Sequence, residues 1–245
     1  MIKKAIKMLV DKIEYLTISK KDAELKFWTL FLKDLKKWYL GELPLLFGEQ
    51  SPKDTDKIKD YSLKDNAILT WLNIHQKTKY LEDLMLPSNA FQNMKVLDIG
   101  SGPMPSALAF DNCELYCLDP LLEDYKKIGY STDYFNNVKF ICSKSENIPV
   151  DDGFFDAVIS VNAIDHVDDF CKTALEVKRV LKPNGKLRMH VHYHLKTRTE
   201  PIRINDDIMN DVYGWCPNFK KINESKNKRG FALGDNNEIY TVWSN

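Results

Sequence analysis

Five short apolar runs, each followed by a helical or turn-forming stretch, occupy the chain from Lys95 onward, and this alternation restricts the fold more than any other feature of the sequence. The runs are KVLDIG (95–100), ELYCLD (114–119), VKFICS (138–143), FDAVIS (155–160) and KLRMHVHY (186–193). Helical segments fall between them at about 105–110, 121–128 and 168–181, with a short one near 163–166. Two further strands close the chain, FKKINES and EIYTVWS. Strand and helix in alternation, with Val/Ile-rich strands, define an α/β fold built on a doubly wound, mostly parallel sheet. Ligands of such sheets bind beyond the carboxyl ends of the strands, where the strand order reverses.

Before this pattern the chain reads differently. Residues 1–90 are helical and irregular, an extension or cap set before a domain at 91–245. Ile2, Ile6, Leu9, Val10 and Ile13 recur at helical spacing among lysines. A second helix covers 21–40 and stops at Gly41 and Pro44; a third runs over 62–86 to Pro87, after a polar loop at 48–60. The basic first helix suits either an anionic membrane surface or packing against the domain, and packing is the expected use.

Composition narrows the function classes. Lys and Arg number 35, as do Asp and Glu, so a strongly basic nucleic-acid binder is not expected. No apolar run reaches the length of a transmembrane helix, and Asp11, Lys12 and Glu14 interrupt any signal-peptide core, which makes a cytoplasmic location the expectation. Five cysteines do not form a disulfide framework and are expected as reduced, mostly buried thiols.

The first strand runs into Asp98-Ile99-Gly100-Ser101-Gly102-Pro103, and Asp119 closes the next strand 21 residues after Asp98. Glycines allow a sharp turn and close approach of a ligand, while an acid at the second strand end accepts from ribose hydroxyls. The spacing therefore indicates a nucleoside-containing cofactor. A nicotinamide site would carry a third glycine, but here Pro-Met-Pro-Ser follows Gly102. An acid directly before the turn suits a cationic ligand, such as the amino-acid end of S-adenosylmethionine.

From these residues the chain resembles a class I S-adenosylmethionine-dependent methyltransferase over roughly 90–245. Asp98, Gly100 and Gly102 match the acid-x-Gly-x-Gly motif, and Asp119 the ribose acid. Residues 143–149 resemble the third-strand segment, 155–160 the fourth strand, Ile164-Asp165-His166-Val167 the turn after it, and Arg179-Val180-Leu181-Lys182-Pro183-Asn184-Gly185 the entry to the fifth. The resemblance implies a Rossmann-like, seven-stranded sheet, mostly parallel with an antiparallel last strand. It implies S-adenosylmethionine as cofactor, held by Asp98, Gly100, Gly102 and Asp119, with adenine near Ser145 and Glu146 and further wall from Ser160 and Asn162. Met104, Lys144 and Asn184 depart from the family pattern, standing for a third glycine, an adenine-binding aspartate and a glycine.

Methyl transfer needs a base only where the acceptor must lose a proton. His166, His190 and His192 are the candidates, near the ends of the fourth and fifth strands. His190, His192 and His194 share one strand face, yet the sequence indicates no carboxylate or cysteine partner, so no metal site is assigned. Trp28, Trp38, Tyr39 and Trp71 are expected mainly in the core; Tyr213 and Trp215, in a polar insertion at 195–218, are expected nearer the pocket. The expected activity is methyl transfer to an oxygen or nitrogen of a small molecule, a glycan or biosynthetic intermediate among them. The alternatives are a non-catalytic scaffold of the same fold and, less favoured for want of the third glycine, a nicotinamide-dependent oxidoreductase.

Overall fold

All seven expected strands form one sheet in a computed structural model that describes residues 18–226 and 239–245. The basic helix expected at 2–13 lies outside the described residues. Helix α1 (Lys20–Leu40) is capped by the Ser19 hydroxyl, which accepts from the Asp22 amide, and ends at Gly41 in the left-handed region. A short hairpin, β1 (Leu45–Leu46) and β2 (Glu49–Gln50), stands where only loop was expected. The third helix is divided: α2 (Leu63–Trp71) passes through a π turn at Leu72–Gln76 into α3 (Lys77–Leu84).

The sheet then follows: β3 (Lys95–Ile99), β4 (Glu114–Leu118), helix α4 (Leu122–Ile128), β5 (Val138–Ile141), β6 (Phe155–Val161), helix α5 (Phe170–Val180) and β7 (Leu181–Tyr193). Helix α6 (Asp206–Tyr213) precedes β8 (Lys220–Ser225) and β9 (Ile239–Ser244). Strand order is β5-β4-β3-β6-β7-β9-β8, and β9 is antiparallel to both its neighbours. Order reverses between β3 and β6, which opens a crevice above their carboxyl ends.

Three cores hold the molecule together. Alternate residues of β3, β4 and β6 face α5 and α6 on one side, where Leu97, Val158, Val177 and Met209 are buried. Their neighbours Val96, Leu115, Ala157 and Ile159 face α3 on the other, beneath Leu84 and Phe91. The third core is aromatic and joins α1, the hairpin and α2 through Phe31, Trp38 and Trp71. The helix expected at 105–110 is only a 3₁₀ turn, Ser106–Ala109. The backbone turns extended at Phe110 (φ −90°, ψ 131°), which ends the helix after one turn. The 195–218 insertion holds α6 rather than continuous loop, because Asn205 caps it by accepting from the Ile208 amide. The five cysteines are unpaired; Cys117 and Cys216 are buried, whereas Cys142 and Cys171 are exposed.

Candidate functional site

A cleft of about 1390 Å³ opens at the reversal point, between the β3–β6 strand ends and the α1, hairpin and α2–α3 region. Its base is the glycine turn. Gly100 and Gly102 have φ of 71° and 63°, and a Cβ on Gly100 would stand 2.3 Å from that of Ala163, so only glycine fits there. Asp119 fastens the turn: Oδ2 accepts from the Gly102 amide at 3.1 Å and Oδ1 from the Leu121 amide at 2.8 Å. Each oxygen keeps a second lone pair for a ribose hydroxyl. Burial raises its pKa to about 6, partly offset by those two amides.

Asp98, assigned to the cofactor from sequence, is fully buried in β3 beneath the glycine turn and does not itself line the cleft. Tyr80, on α3, donates its hydroxyl to Oδ1, while Oδ2 has no hydrogen-bond partner. Burial pushes Asp98 up to about 7, the Tyr80 bond opposing and Asp119 adding to the rise. Across the turn, Asn162 is left-handed (φ 55°), its amide donates to the His190 carbonyl at 2.9 Å, and its buried Oδ1 also lacks a partner. Two orphaned buried acceptors flanking a glycine cradle fit a ligand with a cationic, donor-rich end, as S-adenosylmethionine has.

Of the sequence-derived site residues, Gly100, Gly102, Asp119, Ser145, Glu146, Asn162 and His166 line the cleft. Ser145 and Glu146 are partly committed elsewhere. Ser145 Oγ lies 3.1 Å from Thr173 Oγ1, and Glu146 Oε1 accepts the Asp168 and Asp169 amides at 2.7 and 3.0 Å. Lys144, at the departed adenine position, pairs with Asp168 at 2.7 Å. His166 stands with its ring nitrogens 3.8 Å from Glu24 and 3.8 Å from Glu200.

Three further assignments are corrected. Ser160 is fully buried below the cleft and donates to the Ile99 carbonyl at 3.1 Å. His190 and His192 do not line the cleft: both stack on Tyr240 of β9, at ring distances of 5.4 and 4.5 Å. The register explains this, since His192 pairs directly with Tyr240. Burial also lowers His190 to about 4, with Lys79 and His192 adding to the fall, so it is a weak proton acceptor near neutrality. Among the aromatics, Trp28 and Trp71 line the cleft, whereas Trp38 and Tyr39 are buried core. Tyr213 is enclosed against Phe170 and Phe219, and neither it nor Trp215 reaches the cleft.

Sequence reading missed the far wall. His75 and Gln76, in the π turn, and Lys79, Tyr80 and Asp83, on α3, all face the cleft. His75 lies against the Trp71 ring at 4.3 Å, and its Nδ1 is 3.1 Å from Glu49 Oε1 on β2. A histidine beside a tryptophan in a long polar helix carries no motif; only the π turn, a common device at functional sites, marks it.

The sheet order and the cleft at its reversal point are those of the Rossmann-like α/β fold that class I methyltransferases share, with the glycine turn and Asp119 at the base of the cleft. Residues 97–189 match the methyltransferase domain family. Similar curated proteins include the ubiquinone/menaquinone biosynthesis C-methyltransferase UbiE of Rickettsia prowazekii (strain Madrid E), 33% identical over 105 residues, covering 38% of this chain and 42% of the relative. The uncharacterized methyltransferase YcgJ of Bacillus subtilis (strain 168) is 32% identical over 105 residues, 40% of this chain and 41% of its own. The chain thus spans about two fifths of the curated relatives it matches. Among solved structures, PH0226 protein of Pyrococcus horikoshii OT3 superposes with a TM-score of 0.52 at 21% identity, over 71% of this chain and 92% of that one. The YcgJ crystal structure gives 0.51 at 17%, over 69% and 97%. Both share the fold. Among the described residues no helix is long and apolar enough to cross a membrane.

Proposed function

We propose that the chain transfers a methyl group from S-adenosylmethionine to an oxygen or nitrogen of a small acceptor with an apolar, ring-bearing body. One observation carries this reading: the cleft that begins at the glycine turn continues along Phe27, Trp28, Phe31, Phe47 and Trp71 to the His75–Glu49 pair. Flat aromatic walls bury apolar area and favour a ring over a heavily hydroxylated glycan. The names of the Rickettsia relatives, C-methyltransferases of quinone biosynthesis, support a ring-bearing acceptor and make carbon the rival accepting atom.

When bound, the cofactor supplies an electrophilic methyl group. Asp119 and the Gly100–Gly102 turn would orient it, and Asn162, with the Asp98 carboxylate buried beneath the turn, would favour its cationic end. Glu49 accepts from Nδ1–H of His75, which leaves Nε2 as the basic nitrogen to take the acceptor's proton. The aromatic wall excludes water around that proton transfer.

The test is single-turnover methylation with a labelled methyl donor across phenols, catechols, aromatic amines and a glycan, with product analysis. Ring-bearing acceptors are expected to be methylated at O or N. His75→Ala is expected to lower the rate by about 10²–10⁴-fold while cofactor affinity stays within a few-fold. Methylation at carbon would remove the O/N assignment. Cofactor binding with no transfer across the panel would instead identify a scaffold.

A further inference from the structure

Asp165, from the turn after β6, meets His192, His194 and Glu200 beside the end of β7, near the His166 wall of the cleft. Among the described residues, one ligand-competent atom from each of Asp165, His192, His194 and Glu200 lies within 4.8 Å of the other three. Both ring nitrogens of His194 face acceptors. Its Nδ1 is 2.6 Å from the Leu195 carbonyl, which can only accept, so Nδ1 carries hydrogen. Its Nε2 then faces Asp165 Oδ2 at 2.9 Å. A proton on Nε2 makes this an imidazolium–carboxylate pair, and a metal ion in place of that proton would use the same two atoms. Nδ1–H to a backbone carbonyl is also the outer bond that metal-bound histidines ordinarily keep.

Asp165 supplies an independent sign. The side chain is fully buried, and Oδ1 has no hydrogen-bond partner. A single neighbouring imidazolium satisfies one oxygen and leaves the other desolvated, whereas a divalent ion draws on the whole carboxylate. Glu200 is the adjustable member, with a side chain 21% exposed in a turn braced by Thr197, whose hydroxyl accepts from the Glu200 amide at 3.0 Å.

We propose that Asp165, His192, His194 and Glu200 form a binding site for a divalent transition metal of the Zn²⁺ type. Two imidazoles and two carboxylates are an ordinary four-coordinate set for such an ion, at about 2.0–2.2 Å from each ligand atom. The ion ties the segment after β7 to the 3₁₀ turn after β6. Since Glu200 Oε1 lies 3.8 Å from His166, it also sets the position of that cleft wall.

The experiment uses the untagged full chain, stripped with a chelator and titrated with Zn²⁺ and Co²⁺. One ion retained per chain after gel filtration is expected, with Co²⁺ giving visible d–d absorption of low-symmetry N/O coordination. Glu200→Gln and His194→Gln, with unchanged circular dichroism, are each expected to weaken Zn²⁺ binding by at least about tenfold. Should a substitution unfold the chain, the zinc-induced rise in wild-type melting temperature, absent in the other variant, reports the same site. No ion retained by the folded wild type, or wild-type affinity kept by both variants, would overturn the assignment.

Discussion

Asp98 and Asp119 are two carboxylates at the glycine turn that burial holds protonated at unusually high pH, to about 7 and about 6. The ordinary value is 3.8, so between about pH 4 and pH 7 the folded chain keeps protons that the unfolded chain releases. These two groups therefore lower the stability of the ligand-free protein as pH rises through that window. A ligand bearing a cation prefers the ionised carboxylates and reverses the trend. S-adenosylmethionine affinity should rise from pH 5.5 to pH 8, by up to about tenfold per unit below the Asp98 value. Asp98→Asn should flatten the rise. Calorimetric titration at the two pH values checks it, and equal affinities at both would remove Asp98 from the cation site. The glycine turn and both acids were legible in the sequence, because positive φ and strand-end position are local properties. The Tyr80 contact was not, since Tyr80 reaches Asp98 only once α3 packs on the sheet.

Helix α1 forms one side of the cleft and is fastened at its amino end. Lys20 bonds the His166 carbonyl and pairs with Asp168 at 2.8 Å, and Lys21 pairs with Asp124 at 2.5 Å. Exposed pairs of this kind contribute little stability, about 0–1 kcal/mol each, but they fix where the helix lies. Trp28 is the side chain they aim. It packs against Tyr125 and Tyr130, and its ring would be 3.5 Å from a Cβ at Gly102. Trp28→Ala should weaken cofactor binding by about tenfold, or 1.4 kcal/mol. Leu30→Ala, on the same helix but 53% exposed and off the cleft, should leave it unchanged. Equal effects would mean that α1 acts only through folding. The helical period of 21–40 was readable, yet periodicity gives a stripe and not its partner: Trp28 and Trp38 belong to one helix, and the first meets the cleft while the second is sealed in the core.

On the scale of the molecule, the change of pattern near residue 90 does not separate two cores. Leu84 and Phe91 are buried against Val96, Leu115, Ala157 and Ile159 of the sheet. Returning a buried Val, Leu or Ile side chain to water costs about 1.5–3 kcal/mol, so uncovering this face consumes much of a stability of about 5–15 kcal/mol. A fragment of residues 91–245 is therefore expected to be aggregated or molten, binding a hydrophobic dye and melting without a cooperative transition. A soluble fragment with a sharp thermal transition would show that α3 is dispensable.

The sequence by itself determined the strand-helix alternation, the glycine turn and the acid that closes the second strand, because each rests on backbone preferences within a few residues. It placed the antiparallel last strand only through family resemblance. Tertiary structure decided which polar groups meet. His190 and His192 share a strand face with His194, but the pairing of His192 with Tyr240 withdraws the first two from the cleft. His75 faces Glu49 only because a hairpin folds back over a π turn. Asp165 finds His194 and Glu200 across two strand ends. Such meetings depend on register and on the packing of distant elements, and a one-residue slip in either would send the same side chains to the opposite face.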